Sequence, residues 1–231
     1  MDAQRFSKAA AFVCVGYILV QGFQWWVFSK FPDDSDAIKS FLDGNHPLHI
    51  WRSTLMLFSM FGLWFMSAVV CAIHSNKQKM YAILAFVCFS VFCFLEICLR
   101  STELFYIQIA LPDQYLSSNT PTKASIENIV KVFYQVQSAL YFPLGSGWML
   151  GSAIIAVTTE RTKLNSLLIV SFAINTIRLC CRMLTVYAGF TILPDGIYSP
   201  LYLPMVIVTF GLLSLWFFLL KGNKEAWRHE V

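Results

Sequence analysis

Charge is what this sequence has least of. Only 13% of its 231 residues are charged, against about a quarter in a soluble domain, while 57% are hydrophobic and the mean hydropathy is +0.61. A water-soluble globular domain is excluded by that balance. Histidine is scarce too, with four in the chain, none of them in the core of an apolar run, and lysine is missing from those cores as well. A bis-histidine haem across the spans and a retinal-type Schiff base therefore have no ligands. Cysteine is absent from the long polar connections. Cys14, Cys71, Cys88, Cys93, Cys98, Cys180 and Cys181 all lie in apolar runs, which excludes an extracytoplasmic disulfide framework and marks them as small buried side chains. Basic clusters are also lacking: 17 Lys and Arg stand scattered against 13 Asp and Glu, which rules out nucleic acid as a partner. No phosphate-binding glycine loop and no nucleophile, base and orienter set is present, and no cofactor is expected.

What the chain does have is apolar length. Six runs are long enough to cross a hydrocarbon core of about 30 Å: residues 9–28, 53–73, 81–99 (continuing toward 110), 132–157, 164–187 and 201–220. Six spans of about 20 residues leave no room for a separate soluble domain. The expected fold is an all-α integral membrane protein over residues 1–231, a single bundle of six transmembrane helices. Arg5 and Lys8 precede the first run as in a secretory signal, but it lacks a small-residue cleavage site and ends in GFQWWVF, so a retained helix is expected.

Orientation follows from the excess of Lys and Arg on the cytoplasmic side. With the N-terminus inside, Arg5, Lys8, Lys77, Lys79, Arg161, Lys163, Lys221, Lys224 and Arg228 are inside, and Lys30, Lys39, Arg52, Lys123 and Lys131 outside. Both termini are then cytoplasmic. The connections at 76–79 and 160–163 become charged inner turns, and those at 29–52 and 111–131 become two longer outer loops. The outer acids Asp33, Asp34, Asp36, Asp43, Asp113, Glu127 and Asp195 agree in sign. Within these loops SDAIKSFL (35–42) and the run from Ser125 to Val130 have the pattern of short interfacial helices, either a lid over the polar chamber or two surface helices with no lid role.

Charges inside spans are costly, and they mark functional sites or locks between helices. Glu96, Arg100 and Glu103 are spaced i, i+4, i+7 in the third span; Asn175, Arg178 and Arg182 are spaced i, i+3, i+7 in the fifth. Each set falls on a face about 60° wide. With both spans running outward, Glu96 and Arg178 lie about 22 and 21 Å along their helices at 1.5 Å per residue, in the outer half of the bilayer. Gln21 and Gln24 of the first span reach that level, as do Tyr134, Gln137, Ser138 and Tyr141 of the fourth. A single polar chamber is expected there, with Glu103 near the interface.

Three guanidiniums against two carboxylates leave one positive charge over. A planar guanidinium fork suits a carboxylate or phosphate. The expected ligand set is Arg178, Arg182, Arg100, Glu96, Glu103, Asn175, Gln137 and Tyr141, acting on a small anionic or amphipathic ligand. A purely structural network remains the alternative, and an intramembrane enzyme with Glu96 or Glu103 as base is a weaker one. Pro143 predicts a kink in the fourth span that frees the Ala139 carbonyl, and Gly147 with Gly151 predicts close helix contact. No metal site is expected, the one candidate set being His46 and His49 with Asp43.

The six spans, the element Arg100-Ser-Thr-Glu103 late in the third, the glycine-rich fourth span and the charged turn from Glu160 to Lys163 resemble the uncharacterised bacterial membrane proteins grouped as domain of unknown function 4386. The resemblance implies a six-helix protein of a bacterial inner membrane, with the lipid bilayer as its partner, and points to no known activity.

Overall fold

A computed structural model describes residues 3–31, 37–190 and 195–220; the basic tail with Lys221, Lys224 and Arg228 and the acids Asp33, Asp34 and Asp36 lie outside the described residues. The chain is helical throughout what is described: α1 (Ala3–Lys30), α2 (Ala37–Asp43), α3 (Pro47–Ser101), a π-helical segment (Thr102–Ala110), α4 (Leu111–Ser117), α5 (Thr120–Thr158), α6 (Asn165–Ala188) and α7 (Asp195–Leu219). No strand occurs among the described residues. Five helical stretches, Gln4–Lys30, Pro47–Ser117, Thr120–Thr158, Asn165–Ala188 and Pro200–Leu219, are long and apolar enough to cross a membrane, the mark of a multi-pass membrane protein.

Local chemistry sets the helix ends. His46 caps α3 by accepting a bond from the Leu48 amide at 3.2 Å, with Pro47 in the first turn where no amide donor is needed. Asn119 does the same for α5, accepting from the Thr122 amide at 3.2 Å. Gly189, at φ 71°, ends α6 in the left-handed conformation that a side chain would strain.

The longest stretch is bent back on itself. At Gln78 the backbone leaves helical geometry (φ −137°, ψ 55°), inside the polar run Asn76-Lys77-Gln78-Lys79. Trp64 Nε1 donates to Ser90 Oγ at 3.0 Å. In a straight helix those residues would stand about 39 Å apart, so the arms 47–77 and 79–101 run antiparallel.

The helices close into a ring. α3 packs on α1 and α5, α5 on α6, α6 on α7, and α7 returns to α1. Burying one apolar side of each helix gives a core that includes Met60, Leu63, Met66, Phe89, Trp148, Phe172, Trp216 and Phe217. Hydrogen bonds tie the ring as well: Ser171 Oγ to the Thr209 carbonyl at 2.9 Å, and Ser214 Oγ to the Ala11 carbonyl at 3.2 Å.

Two expectations about the connections change. Residues 111–131 are not a loop: α4 continues the π-helical segment, and α5 starts at Thr120, so only Ser118 and Asn119 separate helices. Ser125–Val130 is part of α5 rather than a separate helix, because its apolar residues have a partner at this level. Ile126 and Val130 bury against Phe41 of α2, Ile107 and Leu111, forming a small second core beyond the main one. The cysteines are all free, but Cys98 and Cys180 are exposed on the outside of the ring rather than buried, because their helix faces have no neighbour.

α5 runs on as helix through Pro143, and the external bond beside the proline goes to the Ser138 carbonyl, from Tyr187 Oη at 2.9 Å, rather than to Ala139. Its glycines act as expected. A Cβ on Gly147 would stand 2.8 Å from the Cys88 carbonyl oxygen, and one on Gly151 would stand 2.6 Å from the Phe89 ring. Gly147→Ala should therefore push α5 off α3 and destabilise the protein by about 1–3 kcal/mol. Thermal melts in detergent followed by tryptophan fluorescence check this, with Gly22→Ala, which meets nothing within 4 Å, expected to melt like the wild type.

Candidate functional site

The polar residues of the membrane interior divide into two linked groups. The first is a charge network on α3. Arg100 Nε donates to Glu96 Oε2 at 3.2 Å, and its Nη1 donates to Glu103 Oε2 at 2.8 Å, using the one-turn spacing that the sequence provides. The other oxygen of Glu103 accepts from Arg52 Nη2 at 3.2 Å, across the two arms of the hairpin. Arg52 also donates to Ser53 Oγ at 3.1 Å and stands 4.7 Å over the ring of Phe28 on α1. Among the described residues, two guanidiniums thus meet two carboxylates.

Glu103, expected near the membrane interface, is buried within the protein at 9% exposure and holds the network's centre. The second core formed by α2 and the start of α5 lies beyond it and keeps solvent away. The π-helical segment contributes too. In an α-helix Gln108 would point about 140° away from Glu103, five residues earlier, whereas the i→i+5 repeat of a π-helix brings it back over. Gln108 Nε2 donates to Glu103 Oε1 at 3.4 Å.

The second group surrounds a cavity of about 170 Å³ at the middle of the ring, lined from α1, both arms of α3, α5, α6 and α7. Glu96 and Arg100 stand on one side and Arg178 on the other, so the two polar faces do meet at one depth. Tyr17, Gln21, Gln24 and Tyr202 supply further polar lining. Arg178 is positioned by neutral groups. Its Nη2 donates to Asn175 Oδ1 at 3.0 Å, Asn175 Nδ2 donates to Ser152 Oγ at 2.8 Å, and the guanidinium carbon lies 5.2 Å from the centre of the Tyr202 ring. No ion pair among the described residues includes Arg178.

Other expected members are placed elsewhere. Arg182 is exposed and does not line the cavity, since one further helical turn moves it about 6 Å outward. Gln137 and Tyr141 are also outside the lining, because α5 contributes only from Leu144 inward. Gln137 is half-buried about 10 Å further out, and Tyr141 stands close to Arg100. His46 is spent on its helix cap, and the His46 and His49 rings both pack on Phe31, at 4.7 and 5.0 Å between centres. Asp43 is exposed, and among the described residues no group of three or more His, Cys, Asp and Glu could hold a metal ion.

The residues that the sequence reading missed are Arg52, Gln108, Tyr17 and Tyr202. A signal for Arg52 exists: it lies 26 residues before the pivot at Gln78 and Glu103 lies 25 after it, so a hairpin sets them level. No family model matches this chain, and no curated protein or solved structure is significantly similar to it.

Removing the shared carboxylate leaves two buried cations short of a partner. Glu103→Gln should cost about 3 kcal/mol or more in a detergent melt. In a double-mutant cycle, Arg52→Met with Glu103→Gln should cost clearly less than the two single changes added together. Additive losses would show that the pair is not coupled.

Proposed function

We propose that this is an integral membrane protein of six traversals, counting the arms of α3 separately, with both termini in the cytoplasm and a binding site for a small anion at Arg178. One observation carries the reading: Arg178 lines the central cavity with only neutral partners, while Arg52 and Arg100 are offset by Glu96 and Glu103. A guanidinium held in place by Asn175 and Tyr202 presents paired donors to a carboxylate or other oxyanion. Glu96 would repel such a ligand, but its charge is offset by Arg100. Gln21, Gln24 and Tyr17 add hydrogen-bonding groups around the space.

Volume selects between the ligand classes. At about 30 Å³ per water, 170 Å³ holds five or six waters, which suits a small oxyanion and is below the usual range for larger ligands. A buried ionic site inside a ring of spanning helices is the kind that transport proteins use. Within this reading the Arg100-Ser-Thr-Glu103 element, which carries the resemblance to the domain of unknown function 4386 proteins of bacterial inner membranes, is a strut beside the site.

A structural role is favoured for the other four charges. The set Arg52, Glu103, Arg100 and Glu96 is balanced and joins the two arms of α3. Both carboxylates are held in ion pairs, which favours a structural role for them over that of a base.

The two roles predict opposite stability changes at Arg178. Without an added anion, Arg178→Met should melt no lower than the wild type, since a half-buried cation that no ion pair among the described residues offsets is lost. Formate, acetate or phosphate should raise the wild-type melting temperature in a saturable way and leave the variant unmoved. Arg178→Lys should retain a weaker response, and Arg182→Met a full one. A folded Arg178→Met protein that still responds to the anions would refute the site.

A further inference from the structure

At the opposite end of the bundle lies a second, larger space. It is a cleft of about 710 Å³ between the turn of α3 at Gln78, the turn joining α5 to α6, and the end of α7. It is displaced from the Arg178 cavity by about ten residues along both α5 and α6, or about 15 Å. Its volume is in the range of pockets that hold a ligand. Its inner wall has an apolar side on which Ile73 and Leu164 are half-buried, with Leu168 and Trp216 buried behind them, while Lys77 and Lys163 stand exposed at its mouth.

The charges at the mouth are uneven. Lys77 pairs with Glu160, whereas Lys163 is in no ion pair among the described residues, so one cation is left without a counter-charge. This is also the end that the Lys and Arg count places in the cytoplasm, where the bilayer leaflet carries anionic lipid. An apolar wall continued by a cationic lip at a membrane end matches an amphiphile standing like a leaflet lipid, head outward and chain inward. A free phosphate would leave most of the apolar wall bare, and a zwitterionic head would set its own cation against Lys163.

We propose that this cleft is a binding site for an anionic phospholipid, with the headgroup phosphate at Lys77 and Lys163 and the chain along Ile73 and Leu164. This proposal is independent of the anion site at Arg178. Glu160 limits the affinity by holding Lys77. Asn165, which donates through Nδ2 to the Glu160 carbonyl and accepts from Trp216 Nε1, fixes the polar lip against the apolar wall.

Native mass spectrometry of the detergent-solubilised chain, titrated with phosphatidylglycerol and with phosphatidylcholine of the same chains, tests the assignment. Phosphatidylglycerol is expected to bind about ten-fold more tightly, with about five-fold of affinity lost for each lysine removed in Lys77→Gln, Lys163→Gln. Glu160→Gln should change binding in the other direction and strengthen it. All three side chains are exposed, so unchanged melting temperatures are expected and serve as the folding check. Equal binding of the two lipids, or an undiminished preference in the folded double variant, would overturn the proposal. Displacement of phosphatidylglycerol by inorganic phosphate at comparable concentration would assign the lip to free phosphate and overturn it equally.

Discussion

Glu103 holds two guanidiniums at once, one from its own helix and one from the antiparallel arm, and the shape of α3 depends on that sharing. Each ion taken out of water into a low-dielectric interior carries a penalty of several kcal/mol, offset only when geometry and hydrogen bonding are both good. The arrangement meets the condition: both oxygens of Glu103 accept from an arginine, Gln108 adds a donor, and Arg100 goes on to Glu96. The outer ends of the two arms are thereby joined about as far from the turn at Gln78 as the hairpin extends.

That constraint explains two departures from regular helix nearby. The π-helical segment begins at Thr102, next to Glu103, and places Gln108 where an α-helix could not. The second core of Phe41, Ile107, Leu111, Ile126 and Val130 closes over the same region, and a buried network of this kind needs water excluded to keep its strength. Cap, π-helix and charges form one unit, and the central cavity opens inward of it. Arg178 thus faces a wall whose charges are already satisfied.

The two spaces in the bundle differ in their electrostatic logic. In the central cavity Arg178 is held by neutral groups in a small volume, across from the paired Glu96 and Arg100. The cleft at the other end combines an apolar side with exposed lysines, whose field is screened by salt. One ring of helices thus holds a charge set among neutral groups at its centre and exposed charges at one end.

The helical class, the long apolar helices and the common level of the polar residues were legible in the sequence, because hydrocarbon length and the cost of charge in lipid are strong one-dimensional signals. Gln21, Gln24, Glu96, Arg100 and Arg178 do meet at one cavity for that reason. The close face at Gly147 and Gly151 was legible too, since small residues at helical spacing permit little else. Partner choice was not. Arg52 counted as a charge at a span end until the hairpin set it opposite Glu103, Arg182 shares a face with Arg178 yet lies a turn outside the cavity, and Gln108 reaches Glu103 only through the π-helix. Periodicity along one helix sets direction and depth. Which neighbour stands across the gap, and whether a charge is offset there, depends on how the helices close into a ring, and only the tertiary structure decides that.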